Sequence, residues 1–374
     1  MKYDFIIVGS GFFGSVVAER LSNELGKKVL ILEKRNHIGG NCYSEIDEQT
    51  KIEYHKYGTH IFHTSNIKVW EYLKKFSKFN NYKHQVLASY KNKLYQMPIN
   101  LETINSIYKK NFKPFEAKKF LDRQKIKITN PKNFEEKALT LVGKKIYNIL
   151  IKGYTEKQWG TSSKNLPSSI INRIPVRYNY NEDYFNNCKW QGIPINGYTD
   201  VFKNILKNKN ITVKLNNFFD FKKYNFDAPI LYTGPLDKLF NYKFGFLEWR
   251  SVKFKKKYIK HHDYQGNSVI NFAEKNIPYT RIHEPKHLHL EREYKSSKNL
   301  IIYEYPIEDN QEPYYPINNS KNRDVHRKYK AEIKKLQNFF IGGRLADYAY
   351  YDMDMTISAA LTLYENKIKK IFKK

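Results

Sequence analysis

DFIIVGSGFFG, residues 4–14, is the stretch on which the reading of the fold turns. Asp4 to Val8 is a short apolar run with the length and composition of a buried strand. It passes directly into Gly9-Ser10-Gly11-Phe12-Phe13-Gly14, after which Val16, Val17 and Leu21 recur with helical spacing. A second apolar run, Val29 to Leu32, ends at Glu33, 19 positions after Gly14. Strand, glycine-rich turn, helix, strand and acid in that order form a dinucleotide-binding fingerprint. Gly9 permits the tight turn, Gly11 lets backbone reach a pyrophosphate at the helix N-terminus, and Gly14 allows close helix–strand packing. Glu33 is expected to accept hydrogen bonds from the adenosine ribose. A glycine-rich turn without a ligand is the plainer alternative.

Outward from this unit, KRNHIGGNCY (34–43) brings Lys34, then Gly40 and Asn41, back against the same ligand. A second strand–glycine segment, FFIGGRLADY (339–348), is expected to close over its far end. Two such segments suit an extended, permanently held FAD better than an exchanging NAD. Residues 66 to 150 show helical spacing and lysine-rich polar faces. Residues 151 to 195 are aromatic and turn-rich. GYTDVFKNIL (197–206) reads as helix, and 224–234 as a buried strand running into a glycine turn. SVKFKKKYI and NLIIYEYPI, within 250–305, alternate as antiparallel strands do. A last helix is expected from about Met355. The fold class is therefore α/β, a Rossmann-like FAD-binding domain with an inserted helical domain and an antiparallel β-sheet domain. The FAD-binding domain is assigned to 1–78, 198–245 and 330–374, and the helical domain to 79–150. The sheet domain, with a mobile lid, takes 151–197 and 246–329.

Length and charge narrow the function classes. At 374 residues, 41% hydrophobic, the chain supports more than one domain. No apolar run approaches the roughly 20 residues that cross a bilayer. Met1-Lys2-Tyr3-Asp4 lacks the organisation of a secretory signal, and a cytoplasmic protein without membrane partners is expected. Two cysteines, Cys42 and Cys188, make neither a disulfide framework nor a CxxC metal site. The net charge of +29 raises a polyanion binder as a competitor. The basic residues are spread over the whole length, however, without a nucleic-acid-binding signature, so no nucleic-acid partner is expected. Only 11 of the 66 basic residues are arginines. In a chain that covers its surface with lysine, arginine is expected where a planar fork of donors is needed. Arg173, Arg177, Arg281 and Arg344 stand in such turn-rich or aromatic surroundings.

YGTHIFHT (57–64), GYTEKQWG (153–160), RIPVRYNYNEDYF (173–185), PYTRIHEPKH (278–287), PYYPIN (313–318) and GRLADYAYYDMD (343–354) occur in this order. Together they resemble the UDP-galactopyranose mutase family over nearly the full chain. The resemblance implies an isomerase of the intramolecular-transferase class, a homodimer, whose small-molecule substrate is a UDP-sugar. Reduced FAD would attack the anomeric carbon of UDP-galactopyranose, UDP would leave, and the sugar would reclose as the furanose without net redox change. The product would enter a cell-surface polysaccharide. NAD(P)H or another reductant would activate the enzyme.

By the same resemblance Arg173 and Arg281 stabilise the departing diphosphate, and His60 approaches the flavin; these are the candidate catalytic residues. Arg344, Asp352 and Met353 belong to the segment that closes over the flavin, Arg344 offsetting negative charge on its reduced form. Tyr184 and Phe185 match the pair that sandwiches uracil. Tyr154 and Trp159 match lid residues. Tyr315 and Tyr350 match tyrosines that bond the diphosphate, while Asn271 touches uridine and Asp352 orients this cluster. No third ligand accompanies His60 and His63, so no metal is expected. Two positions depart from the family pattern. Thr59 replaces a common proline, which is expected to loosen the flavin loop. His84 replaces a common asparagine near the nucleotide. UDP-N-acetylgalactosamine as substrate, and a flavin amine oxidase or desaturase, remain alternatives.

Overall fold

The computed structural model describes residues 3–173, 175–185, 188–221, 228–308 and 312–372. Five strands pair in parallel, in the order Phe339–Ile341, Ile230–Tyr232, Phe5–Val8, Val29–Leu32, Ile211–Lys214. Their apolar runs are continuous rather than alternating because helices cover the sheet, and Phe5, Ile7, Ile31 and Leu231 are fully buried. Helix Phe12–Leu25 packs on the sheet through Val16, Val17 and Leu21. Helices Gly197–Ile205 and Met353–Leu363 join the same core through Phe202 and Ile357. The strand order reverses at Phe5–Val8, so a crevice opens at the carboxyl ends of the central strands, where ligands of open α/β sheets bind.

A second sheet of seven strands runs Tyr315–Pro316, Trp249–Ile259, Asn299–Ile307, Arg281–His283, Val269–Phe272, Val86–Tyr90, Lys93–Met97. The expected antiparallel segments form its spine, with register Ser251 opposite Ile307 through Ile259 opposite Asn299. One expectation is corrected here. The segment expected to be helical, 79–150, opens with the hairpin Val86–Tyr90/Lys93–Met97, which extends the second sheet. Val86, Ala88, Tyr95 and Met97 alternate into the core, and Lys91 and Asn92 turn the chain at φ +50° and +59°. Beyond it the segment is helical as expected. Leu101–Tyr108, Pro114–Gln124 and Phe134–Ile146 pack around Ile104, Leu121, Phe134 and Val142. No helix among the described residues is long and apolar enough to cross a membrane.

Candidate active site

The fingerprint at 4–14 folds into a cradle. A Cβ on Gly14 would fall 2.1 Å from the Gly9 carbonyl oxygen, so only glycine lets this helix start so close to the strand. A Cβ on Gly11 would meet nothing nearer than Gly40 Cα at 4.0 Å. The fold itself leaves room for a side chain there, so the bare backbone is open to a ligand's approach. Gly11 caps helix Phe12–Leu25, whose first turn carries no acid to compete for an anion. A cavity of about 770 Å³ lies against this turn, lined by Gly9, Gly11, Gly14, Glu33, Lys34, Gly40, Asn41, His60, Arg344 and Met353. That volume is of the size that holds a sizeable ligand. Every residue expected to contact the cofactor lines it except Asp352. Glu33 is buried and accepts from Ser10 N at 2.9 Å, Ser10 Oγ at 2.7 Å and Arg35 N at 3.0 Å. A carboxylate has about four acceptor sites, so roughly one remains for a ribose hydroxyl. Lys34 and Arg35 both pair with Glu312, at 2.8 and 2.6 Å, and Arg35 also donates to Asn41 Oδ1.

A smaller chamber of about 210 Å³ adjoins the first and shares Asn41, His60, Arg344 and Met353 with it. One wall is a transverse row across the second sheet, in which Asn271 pairs with Arg281, Arg281 with Glu304, and Glu304 with Phe254. Directly opposed residues share a sheet face, so the register alone brings these side chains together. Arg281 Nη1 donates to Glu304 Oε1 and Oε2 at 3.1 and 3.2 Å, and Nε donates to Asn271 Oδ1 at 3.3 Å. Burial would raise the Glu304 carboxyl, but Arg281 and the His283 hydrogen bond outweigh it and hold it at about 2. The guanidinium is thereby kept charged. Its Nη2 has no hydrogen-bond partner among the described residues, which leaves one edge for an anionic ligand.

His60 Nδ1 lies 2.7 Å from the Gly58 carbonyl, an acceptor, so that nitrogen carries the ring proton and Nε2 keeps its lone pair. Burial, only partly opposed by this bond, lowers His60 to about 4. Burial and Arg281 lower His84 to about 3. Tyr315 and Tyr350 stack at 5.9 Å with an 8° tilt, and Arg344 lies 5.1 Å from the Tyr350 ring. Asp352, in the chamber wall, precedes the helix Met353–Leu363. Phe185 stacks on His63 at 3.6 Å, and Tyr184 stands at 85° to Phe185, so the two rings as placed are not facing plates.

The chamber thus gathers His60, Tyr184, Phe185, Asn271, Arg281, Tyr315, Arg344, Tyr350 and Asp352. Two expected residues, Tyr154 and Trp159, do not line it. The Tyr154 ring lies 5.7 Å from the Arg281 guanidinium, and its hydroxyl has no partner among the described residues. Trp159 lines a separate cavity of about 730 Å³ with Gly160, Arg250 and Pro316, which reaches Tyr350. Arg173 ends the turn Ser168–Arg173, and its side chain is outside the described residues. Sequence reasoning missed Glu304 and His283. An acid inside the apolar run NLIIYEYPI, and a histidine two residues beyond Arg281, were the available signals. The loosening expected of Thr59 is also corrected, since its hydroxyl lies 2.7 Å from His283 Nδ1 and ties the 57–64 loop to the sheet.

Similarity to known proteins agrees with this geometry. Residues 149–350 match the family model for UDP-galactopyranose mutase, and residues 7–76 match that for an NAD(P)-binding Rossmann-like domain. The chain is 38% identical to the dTDP-fucopyranose mutase of Escherichia coli, over 97% of this chain and 98% of that one. It is 39% identical to the probable UDP-galactopyranose mutase of Klebsiella pneumoniae, over 96% and 93%. A crystal structure of reduced UDP-galactopyranose mutase shares the fold, with a TM-score of 0.75 over 99% of this chain and 94% of that one at 14% identity. With relatives this similar along almost its whole length, and the motif-bearing half matched by the family model, the chain belongs to the UDP-galactopyranose mutase family.

Proposed function

We propose that this chain interconverts UDP-galactopyranose and UDP-galactofuranose, with FAD in the larger cavity and the nucleotide sugar in the chamber beside it. The observation that carries the reading is the junction: the dinucleotide cavity ends on Asn41, His60, Arg344 and Met353, the residues at which the Arg281 chamber begins. The glycine cradle and Glu33 fit the adenosine diphosphate half of the cofactor. Reduced FAD bound there supplies an electron-rich nucleophile for the anomeric carbon. Arg281, pre-charged by Glu304, meets the negative charge that grows on the departing diphosphate, and needs no reorganisation to do so. The family resemblance alone assigns the same role to Arg173. Arg344 and the N-terminus of helix Met353–Leu363 favour negative charge at the junction. Burial and Glu304 raise Tyr315 to about 12, so it keeps its proton and donates to phosphate oxygen. His60, neutral, offers Nε2 as an acceptor to a sugar hydroxyl. A homodimer is proposed from the family resemblance alone.

One comparison adds a second candidate for sugar and base: the Escherichia coli relative, named for dTDP-fucopyranose, is as similar as the Klebsiella one. Anaerobic assays of the reduced protein with UDP-galactose, UDP-N-acetylgalactosamine and dTDP-fucose, resolved by chromatography, test the reading. UDP-galactose is expected to give the furanose with the highest kcat/KM. A higher kcat/KM for either other substrate would replace the proposed specificity.

A further inference from the structure

Arg281 is not held by Glu304 alone. His283 follows it by two residues on the strand Arg281–His283, so both side chains lie on the chamber face. His283 Nε2 lies 3.0 Å from Glu304 Oε2, diagonally across the register. Glu304 is ionised and can only accept, so Nε2 carries the proton. On the other side of the ring the Thr59 hydroxyl lies 2.7 Å from Nδ1. His283 and Glu304 are almost wholly buried, so water does not substitute readily for either bond. Thr59 adjoins His60, which lines both cavities.

We propose that Thr59 and His283 are positioning residues for the reaction: the chain Thr59–His283–Glu304–Arg281 fixes the guanidinium so that Nη2 faces the diphosphate, and ties that orientation to the loop bordering the cofactor cavity. The proposal rests on the function proposed above, because it assigns the bound anion to a nucleoside diphosphate. Without the Thr59 hydroxyl, the imidazole can turn, and Glu304 Oε2 loses the nearer of its two donors, leaving only Arg281 Nη1. Arg281 then samples orientations that withdraw Nη2 from the ligand.

The test is calorimetric titration of FAD-loaded protein with UDP, together with kcat and KM for UDP-galactose. Thr59→Val keeps the side-chain shape and removes the hydroxyl. It is expected to weaken UDP binding about five- to tenfold, the size of one lost buried hydrogen bond, with flavin content unchanged and the melting temperature lowered by about a few degrees at most. Thr59→Ser is expected to restore UDP affinity to within about twofold of wild type. In an Arg281→Lys background, Thr59→Val is expected to change UDP affinity less than about twofold, because the relay would have nothing left to position. Wild-type UDP affinity in Thr59→Val, or an equal loss in the Arg281→Lys background, would overturn the relay while leaving the proposed function standing. Wild-type protein that binds neither UDP nor dTDP would instead remove that function, and the relay with it.

Discussion

Arg281 shows what a single side chain brings to the site: a half-buried charge held by Glu304, with Nη2 left without a hydrogen-bond partner among the described residues. Arg281→Ala should lower kcat by about a hundredfold or more, as removing one preorganised donor does elsewhere, while flavin content stays at the wild-type level. Near-normal turnover by that variant would remove the assignment. The cradle glycines separate fold from function. Gly11→Ala should leave the melting temperature of the cofactor-free protein unchanged yet abolish flavin retention, since its Cβ meets only a possible ligand. Gly14→Ala should destabilise the cofactor-free protein itself, because its Cβ collides with the Gly9 carbonyl. Thermal melts beside visible absorbance distinguish the two. At this scale the sequence was readable where residue type is restrictive. Arginines in a lysine-rich chain and glycines at fixed spacing could be singled out. Glu304 and His283 were not, because their roles come from cross-strand register, which no local pattern states.

Among the elements, the fingerprint unit was legible because strand, turn and helix each have their own period and the glycines mark the joints. The hairpin at 86–97 was hidden because Lys91-Asn92 is not the usual glycine-containing turn and its strands lie among lysine-rich helices. The helix Lys152–Trp159 shows a further hidden device. Lys157 Nζ donates to the carbonyls of Phe272, Ile277 and Tyr279 at 2.7, 3.1 and 2.9 Å, fastening the helix that carries Tyr154 to the turn between Asn271 and Arg281. Burial lowers this lysine to about 8, so it is still mostly charged at neutral pH. Lys157→Met should cost roughly 1–3 kcal/mol for the orphaned carbonyls, read by urea denaturation, and should raise KM more than it lowers kcat. An unchanged denaturation midpoint would show that the helix is held by packing alone.

The whole molecule places two cavities end to end at the switch point of one sheet and against the face of another. The α/β architecture could be read from the order of elements. The interleaving of the sheets could not, because Val86–Tyr90 pairs with Val269–Phe272 from far along the chain. Collecting neutral histidines in a buried site also has a global consequence. His60 and His84 are lowered to about 4 and about 3, whereas the unfolded chain protonates histidine near 6.5. As pH falls from 6.5 toward 4, the unfolded state takes up protons that the folded state does not, so stability declines, by up to about 1.4 kcal/mol per pH unit for each histidine. Urea titrations at pH 7 and pH 5 should show this, and His84→Asn should lessen the decline by about one proton's worth. At the junction between the cavities a reduced cofactor is proposed to act on a nucleotide sugar without net redox change. The most direct measurement is anaerobic turnover of UDP-galactose by one preparation of FAD-loaded protein, oxidised and then reduced, with reductant consumption followed alongside the product. Furanose is expected from the reduced protein alone, over many turnovers, with no reductant consumed after the initial reduction. Equal turnover by the oxidised protein, or one equivalent of reductant consumed per product, would contradict this expectation.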